Sequence, residues 1–386
     1  MKYSFTTAGL MALVYGSAIT VAAALPERAT TKAAHIIDVH RDWDGVRAHV
    51  ARKTARKDKR QSNSSSSLDY SGYWFANITA GGLPASVLLD TGSADLWLVD
   101  PSAGSDATDG VQTWDPTTAQ DTSQMSGETF NIGYGQGGNG VSGNVYQTDV
   151  CLGEACTTMA VGSATTDQGL GSFPRSGILG LAFKGGNSVS PDQQNTFMES
   201  LQGSLAEPIF VTKFTPEGST SQIAFGSNPF DFVAPMQEIQ IDSSSSASYP
   251  YSWSYTGVDY SKNGQSLGTF DVVFDSGGPM TSAAEDIVRG YYDGVDGASD
   301  VNGDASSWTV PCGTELPDLT LTLGSATLVI PGEKFYNGNT DTSGDCTVWF
   351  VKENSPSRGV IGDPFFCEHV VVFNQQDSTI SWGNQS

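Results

Sequence analysis

Two aspartates in closely similar settings carry the chemistry available to this sequence. Asp90 lies in Val87-Leu88-Leu89-Asp90-Thr91-Gly92-Ser93 and Asp275 in Asp271-Val272-Val273-Phe274-Asp275-Ser276-Gly277, so twice an apolar strand delivers Asp, a hydroxyl residue and Gly. Glycine permits a tight turn at the end of a buried strand, and neighbouring hydroxyl and backbone N–H groups can hold the carboxylate in place. Two such turns meeting face to face bring two carboxyl groups so close that they cannot both ionise and must share a proton. Such a pair can hold a water and act on it as base and acid at once.

An Asp-hydroxyl-Gly triplet alone marks little more than a turn. A second echo lifts these two above that. Ile178-Leu179-Gly180 begins 88 residues after Asp90, and Val360-Ile361-Gly362 begins 85 residues after Asp275, each an apolar pair followed by Gly. The chain therefore reads as a duplication in which each half supplies one Asp.

The elements that must position these residues are mostly strands. From Tyr70 onward, short segments rich in Val, Ile, Phe, Tyr and Thr alternate with clusters of Gly, Ser, Asn and Asp, the pattern of an all-β protein. Helix signals are few, the best being residues 191–205 and 283–291, each starting near an N-cap type of residue. The 386 residues suffice for two sizeable cores, and the join between halves is expected over 232–243. The serine run Ser243–Ser246 beyond it could equally be a surface loop of the second half.

Charge and targeting divide the chain further. Residues 3–24 are short and apolar, with Lys2 in front and Ala22-Ala23-Ala24 behind, which fits a signal peptide over 1–24. A membrane anchor is the alternative, but Ser, Thr and Gly interrupt the run and no stop-transfer pattern follows. The first 60 residues hold eleven of the nineteen Lys and Arg and only five of the 42 Asp and Glu, which leaves the remainder with a formal charge of −29. That self-repulsion is relieved as carboxylates protonate, which suits an acidic workplace and argues against nucleic-acid binding by the body. Residues 25–60 are read as a basic propeptide that pairs with the acidic body, its helical run over Arg47–Arg60 ending in Lys59-Arg60, which would suit a dibasic processing protease, with autocatalytic cleavage at another bond as the alternative. The Ser-rich stretch 61–67 follows.

Five Cys are too few for a disulfide scaffold and lack zinc-ligand spacing. Cys151 and Cys156 flank a Gly153-Glu154 turn and could close a hairpin, while Cys367 follows an apolar run and reads as a buried free thiol. Asn63, Asn77 and Asn384 each begin an Asn-X-Ser/Thr glycosylation acceptor. Tyr134 lies on a Gly-rich hairpin, Ile132–Gly143, suited to folding over a substrate; a core role for its ring is the alternative, and the glycines on both sides with polar Gln136 favour a mobile tip.

Taken together, these motifs resemble the pepsin-like aspartic endopeptidases, in particular secreted fungal members, over most of residues 66–386. Asp90-Thr91-Gly92-Ser93 with Leu96-Trp97 matches the first catalytic motif, and Ile132-Gly133-Tyr134-Gly135-Gln136-Gly137 matches the flap. Gly177-Ile178-Leu179-Gly180-Leu181, Phe225-Gly226 and Val360-Ile361-Gly362-Asp363 match further signatures. The resemblance implies an all-β, bilobal fold with two pseudo-twofold-related lobes, 61–235 and 236–386, and few short helices. It implies Asp90 and Asp275 as the catalytic pair, sharing a proton as aspartic-protease dyads are known to do, with Thr91, Gly92, Ser93, Ser276 and Gly277 in support. Tyr134, Gly135, Gln136, Trp97, Ile178 and Gly278 would face the substrate, Trp97 fixing the Tyr134 hydroxyl, and Cys312 would bridge to Cys346. The implied protein is a secreted monomeric zymogen, extracellular or vacuolar, without cofactor or metal. It would cut protein substrates and be held in check by its own propeptide.

One departure from that pattern concerns the second motif. The family usually places a hydroxyl residue after the second Asp-Thr/Ser-Gly, whereas Gly278 and Pro279 follow here. Asp275 then lacks a donor to its charged form, unless a water or Thr281 substitutes. Three rivals deserve weighing. A glycosidase also pairs carboxylates but needs them about 5 Å or more apart and has no use for twin turns. A non-catalytic pepsin-like binding protein would be favoured by loss of either Asp, and both are present. A Cys367–His369 pair on one face of a strand is conceivable but comes with no oxyanion-hole motif.

Overall fold

Turns built from glycine and asparagine set the strand registers in the computed structural model, which describes residues 34–41, 73–108, 110–134, 139–168, 176–215, 221–247, 249–341, 343–355 and 358–386. These residues fall in one compact unit, 32–386. The expected signal peptide, the basic helix over 47–60, Lys59-Arg60, Asn63 and the flap residues Gly135 and Gln136 lie outside the described residues.

The strands of the first half are β1 (His35–Arg41), β2 (Trp74–Ala80), β3 (Leu83–Asp90), β4 (Leu96–Val99), β5 (Ser123–Tyr134), β6 (Asn139–Leu152), β7 (Ala155–Gln168), β8 (Gly177–Gly180), β9 (Val189–Ser190), β10 (Ile209–Lys213) and β11 (Ser221–Phe225). They are followed by β12 (Phe232–Gln240), β13 (Ser254–Lys262) and β14 (Gln265–Phe274). Gly81 and Gly82, with φ of 55° and 74°, close the two-residue hairpin between β2 and β3. Asn263 and Gly264, at 52° and 76°, do the same between β13 and β14. Two successive positive φ values match the right-handed strand twist, so these turns pin the register that delivers each Asp to its place.

Among the described residues, fourteen strands join in one sheet in the order β12, Thr379–Gln385, His369–Asn374, β10, β11, β1, β2, β3, β8, β4, β7, β6, β5, β9. A five-stranded sheet containing β13, β14 and Arg358–Ile361 forms much of the second half. The sequence echo becomes a structural one: β3 runs parallel to β8 with Asp90 opposite Gly180, and β14 runs parallel to Arg358–Ile361 with Phe274 opposite Ile361. Strand content dominates and helices are short, as expected.

Two expectations about helix boundaries need correction. The helix expected over 191–205 is confined to Phe197–Leu201, capped by Thr196 and Glu199. The residues before it are held as loop because the Gln193 amide donates to Gly185 O and Asn187 O. The second helix is Glu285–Tyr292, two residues later than expected, because Ala283 belongs to the strand Thr281–Ala283. The expected join over 232–243 contains β12, which pairs with the C-terminal strand.

One buried cluster runs through both halves. At its centre Trp253 packs against Phe183 at 4.4 Å, Phe210 at 5.9 Å and Phe373 at 4.9 Å between ring centroids, and its indole N–H donates to Leu181 O at 2.9 Å. Disulfides join Cys151 to Cys156 across the β6–β7 turn and Cys312 to Cys346, and Cys367 is free and buried. Replacing Trp253 by Phe leaves the buried Leu181 carbonyl without its donor, so we expect a loss of about 1–3 kcal/mol in unfolding free energy. A urea titration reads this as a lower midpoint at unchanged slope, and an unmoved midpoint would refute the bridging role of Trp253.

Candidate active site

Four consecutive buried residues, Val87 to Asp90, end β3, and Val272 to Phe274 end β14 in the same way. Burial on both faces explains why these runs are continuously apolar rather than alternating. Each turn then folds back on its own carboxylate: Gly92 N–H donates to Asp90 Oδ1 and Gly277 N–H to Asp275 Oδ1, both at 2.8 Å.

The two turns are locked together by their hydroxyl residues. Thr91 N–H donates to Ser276 Oγ at 3.1 Å and Ser276 N–H to Thr91 Oγ1 at 2.9 Å. The Thr91 hydroxyl donates to Phe274 O and the Ser276 hydroxyl to Leu89 O, both at 2.8 Å. Glycine is required beside each Asp because a Cβ on Gly92 would fall 2.5 Å from Asp275 Cγ, and one on Gly277 would fall 2.5 Å from Asp90 Oδ1. Each carboxyl thus lies over the other turn's glycine. Asp275 is pushed well above the usual carboxylate range, first by burial, then by the charge of Asp90 and a hydrogen bond with it.

Near Asp90 lies Tyr134, at the end of β5 and opposite Asn139 on β6. Trp97 Nε1–H donates to its hydroxyl at 2.7 Å. Burial and the nearby Asp90 charge push that phenol well above its ordinary value, and the Ser93 hydroxyl also reaches it. Ile178, expected to face substrate, is instead 3% exposed and packs in the cluster of Phe75, Leu88, Trp97 and Phe130 beneath Tyr134.

Comparison with known proteins agrees with this geometry. The family model for eukaryotic aspartyl protease matches residues 73–385. The chain belongs to that family. Penicillopepsin-2 of Penicillium janthinellum is 29% identical over 320 residues, covering 80% of this chain and 77% of the relative. Penicillopepsin-1 of Talaromyces stipitatus is 30% identical over 319 residues, and aspergillopepsin-1 of Aspergillus flavus 28% over 318, with coverages of 80% and 77%, and 80% and 76%. The crystal structure of the aspartic proteinase from Irpex lacteus superposes with a TM-score of 0.69 at 18% identity, covering 92% of this chain and 98% of that one, which bears on the fold. The protein is an aspartic-type endopeptidase of the pepsin-like, fungal kind.

Within this aspartyl protease the duplication is not symmetric. Ser93 Oγ–H donates to Asp90 Oδ2 at 2.5 Å, whereas Gly278, at the equivalent place, has no hydroxyl to offer Asp275. Thr281 does not substitute: its buried Oγ1 makes no hydrogen bond among the described residues. A Cβ on Gly278 would meet Val360 Cγ1 at 3.0 Å and Asp275 O at 3.4 Å, so a small side chain fits once Val360 gives slightly.

Two buried carboxylates escaped the sequence reading. Asp363 accepts from Trp74 Nε1 at 2.6 Å and from Arg41 at 2.5 Å. Cys367 Sγ–H also donates to it at 3.2 Å, and burial pushes that thiol well up. The His369 ring engages Phe365 O instead, which disposes of a thiol–imidazole pair. Asn77 and Asn384, two of the expected glycosylation sites, are exposed on strands.

The other carboxylate is Asp95, 2% exposed between Ser93 and Trp97. It accepts from Asn187 Nδ2 at 3.0 Å, Ser188 N–H at 3.0 Å and the Ser188 hydroxyl at 2.9 Å. A polar residue in the otherwise apolar stretch Ala94–Val99 was the only available signal. Burial outweighs the Ser188 donors and raises Asp95 from 3.8 to about 6. The folded chain therefore holds this proton more tightly than the unfolded one, so the contribution to stability is full below the ordinary value of 3.8 and is lost as pH rises through about 6. Its size is on the order of 3 kcal/mol, and burial raises Asp275 and Asp363 in the same direction. We expect Asp95→Asn to flatten the decline of unfolding free energy between about pH 4 and 6.5. Denaturant titrations across that range check it, and equal slopes in both proteins would reject the assignment.

Proposed function

We propose that Asp90 and Asp275 form the catalytic pair of a secreted acid endopeptidase, made as a zymogen, that hydrolyses peptide bonds in proteins through one activated water. The observation that carries this reading is the crossed Thr91–Ser276 bonding, which sets each carboxyl over the opposite turn's glycine. With the shared proton on Asp275, whose affinity for it is raised, Asp90 acts as the base. Asp90 takes a proton from the water as the water attacks the scissile carbonyl, and Asp275 protonates the carbonyl oxygen. As the tetrahedral species collapses, Asp90 gives the proton it took from the water to the nitrogen of the leaving amine and a hydroxyl of that species returns one to Asp275, which restores the pair; titration belongs to the pair rather than to either Asp.

Tyr134, held by Trp97, would close with the hairpin tip over an extended peptide, excluding water and aligning the bond. Main-chain hydrogen bonds would hold the peptide, with pockets for its side chains. Pro279 and the 37% exposed Met280 border the second turn and would shape one such pocket. Secretion is supported by the N-terminal signal pattern and the fungal relatives. Among the described residues no helix is long and apolar enough to cross a membrane.

Proteolysis of a denatured protein substrate from about pH 2.5 to 7 tests the reading, run beside Asp275→Asn. We expect acid-favoured cleavage and a fall of at least ~10³-fold in kcat for the variant. A folded, processed chain that cleaves nothing would return the balance to the non-catalytic binding protein. A second outcome concerns Gly278. Replacing it by Thr supplies the missing donor to ionised Asp275 and should move the acidic limb of the pH–rate profile down by about one unit, the worth of one charge-assisted hydrogen bond. An unshifted limb in an active variant would mean that the hydroxyl does not reach Asp275.

A further inference from the structure

The strand Arg358–Ile361 turns two different faces to its surroundings. Gly359 and Ile361 are buried, and a Cβ on Gly359 would fall 2.1 Å from Ser282 O. Arg358 and Val360 alternate with them and share the half-buried face. That face looks toward the turn carrying Asp275, since Val360 Cγ1 lies 3.0 Å from where a Cβ on Gly278 would stand. Ile361 O accepts the Asp275 N–H, and Arg358 begins the same short strand, about 10 Å earlier. The long side chain of Arg358 thus comes within reach of the groove beside Asp275. Its charge works against burial and the Asp90 charge, which raise the proton affinity of Asp275.

The guanidinium is held but not neutralised. It lies over the ring of Tyr249, 4.8 Å from the centroid, on the loop between β12 and β13. The Tyr249 carbonyl accepts the Ser252 hydroxyl at 2.9 Å and the Ser254 hydroxyl at 3.4 Å, which tie that loop down. Asp271 stands opposite Arg358 in the strand register, yet its carboxylate turns to the other neighbour and accepts Gly257 N–H from β13 at 2.8 Å. Arg289, Lys334 and Lys352 each pair with a carboxylate. Among the described residues Arg358 has no such partner. In a body with eight basic and 37 acidic side chains beyond residue 60, a cation stacked on an aromatic ring and left without a carboxylate is prepared for one from outside.

We propose that Arg358, presented on Tyr249, selects substrates that carry a glutamate or aspartate within about three residues of the scissile bond. A carboxylate can accept two parallel N–H bonds from the guanidinium edge while the ring supports its face, a geometry that lysine does not offer. Stacking fixes the side chain beforehand, so little rotamer freedom remains to be lost on binding. The negative body repels acidic peptides elsewhere, which confines the preference to the one position that meets Arg358.

The inference rests on the endopeptidase reading and names a substrate class for it. Its test uses one peptide cut at a mapped bond, with each of about three residues on either side replaced in turn by Glu, Gln or Lys, and kcat/KM measured at about pH 5, where glutamate is mostly ionised. We expect Glu to exceed its isostere Gln about tenfold at one position, the lower end for a hydrogen bond to a charged group. Arg358→Gln should remove that ratio, and Arg358→Glu should turn it toward Lys, a gain that a misfolded variant does not show. A Glu-to-Gln ratio near one at every position, or a ratio that survives Arg358→Gln, would overturn the proposal and leave Arg358 as a bracket for the Tyr249 loop. Binding of the same peptides to an Asp90→Asn chain, read by fluorescence anisotropy, separates the two readings. A Glu preference in binding with no cleavage by the unsubstituted chain would count against the proteolytic reading and uphold this one.

Discussion

Two hydroxyl side chains, Thr91 and Ser276, each accept the other's backbone N–H and each donate to a carbonyl at the end of the other's strand. Because both residues are buried, all four bonds must be made or the site carries unpaired polar groups. The constraint propagates outward. It fixes the separation of β3 and β14, forces glycine at positions 92 and 277, and holds two carboxyls closer than their charges would choose. Burial is the first cause of the raised proton affinity of Asp275, and the lock adds to it by holding the Asp90 charge close.

A symmetric lock need not give symmetric chemistry. Ser93 stands by Asp90 while Gly278 stands by Asp275, so one hydroxyl present on one side only gives two otherwise equivalent groups different surroundings. Asp95 and Asp363 add buried carboxylates whose protons are held more tightly in the fold than outside it. With a formal charge of −29 beyond residue 60, the self-repulsion of the body is relieved as carboxylates protonate, so the local and global electrostatics point the same way.

Much of this was legible in the chain because the duplicated motif constrains itself: Asp90 and Asp275, their hydroxyl and glycine neighbours, and the Gly180 and Gly362 echoes are all local patterns. Cys151 and Cys156 could be paired for the same reason, since they flank one turn. What escaped depends on contacts between distant residues. Asp95 looks like a surface residue until Asn187 and Ser188 are brought to it, and the Arg41–Asp363 pair joins residues 322 apart. Ile178 was misjudged because position in a motif says nothing about which way a side chain faces. The helix over 191–205 was overdrawn because the Gln193 amide bonds to loop carbonyls instead of leaving its segment free to coil.

The order of strands also bears on how the molecule comes to be folded. β10 pairs on one side with His369–Asn374, and β11 pairs with β1, so the first strand and nearly the last both belong to the same sheet. A chain emerging from its N-terminus carries β10 with an unmet edge until almost all of its length has been made. Contacts so distant in sequence close slowly, and an open edge in the interval invites pairing with other chains. The first strand is therefore useful before any chemistry begins, because by capping β11 early it leaves only one side of that pair to wait for the C-terminus.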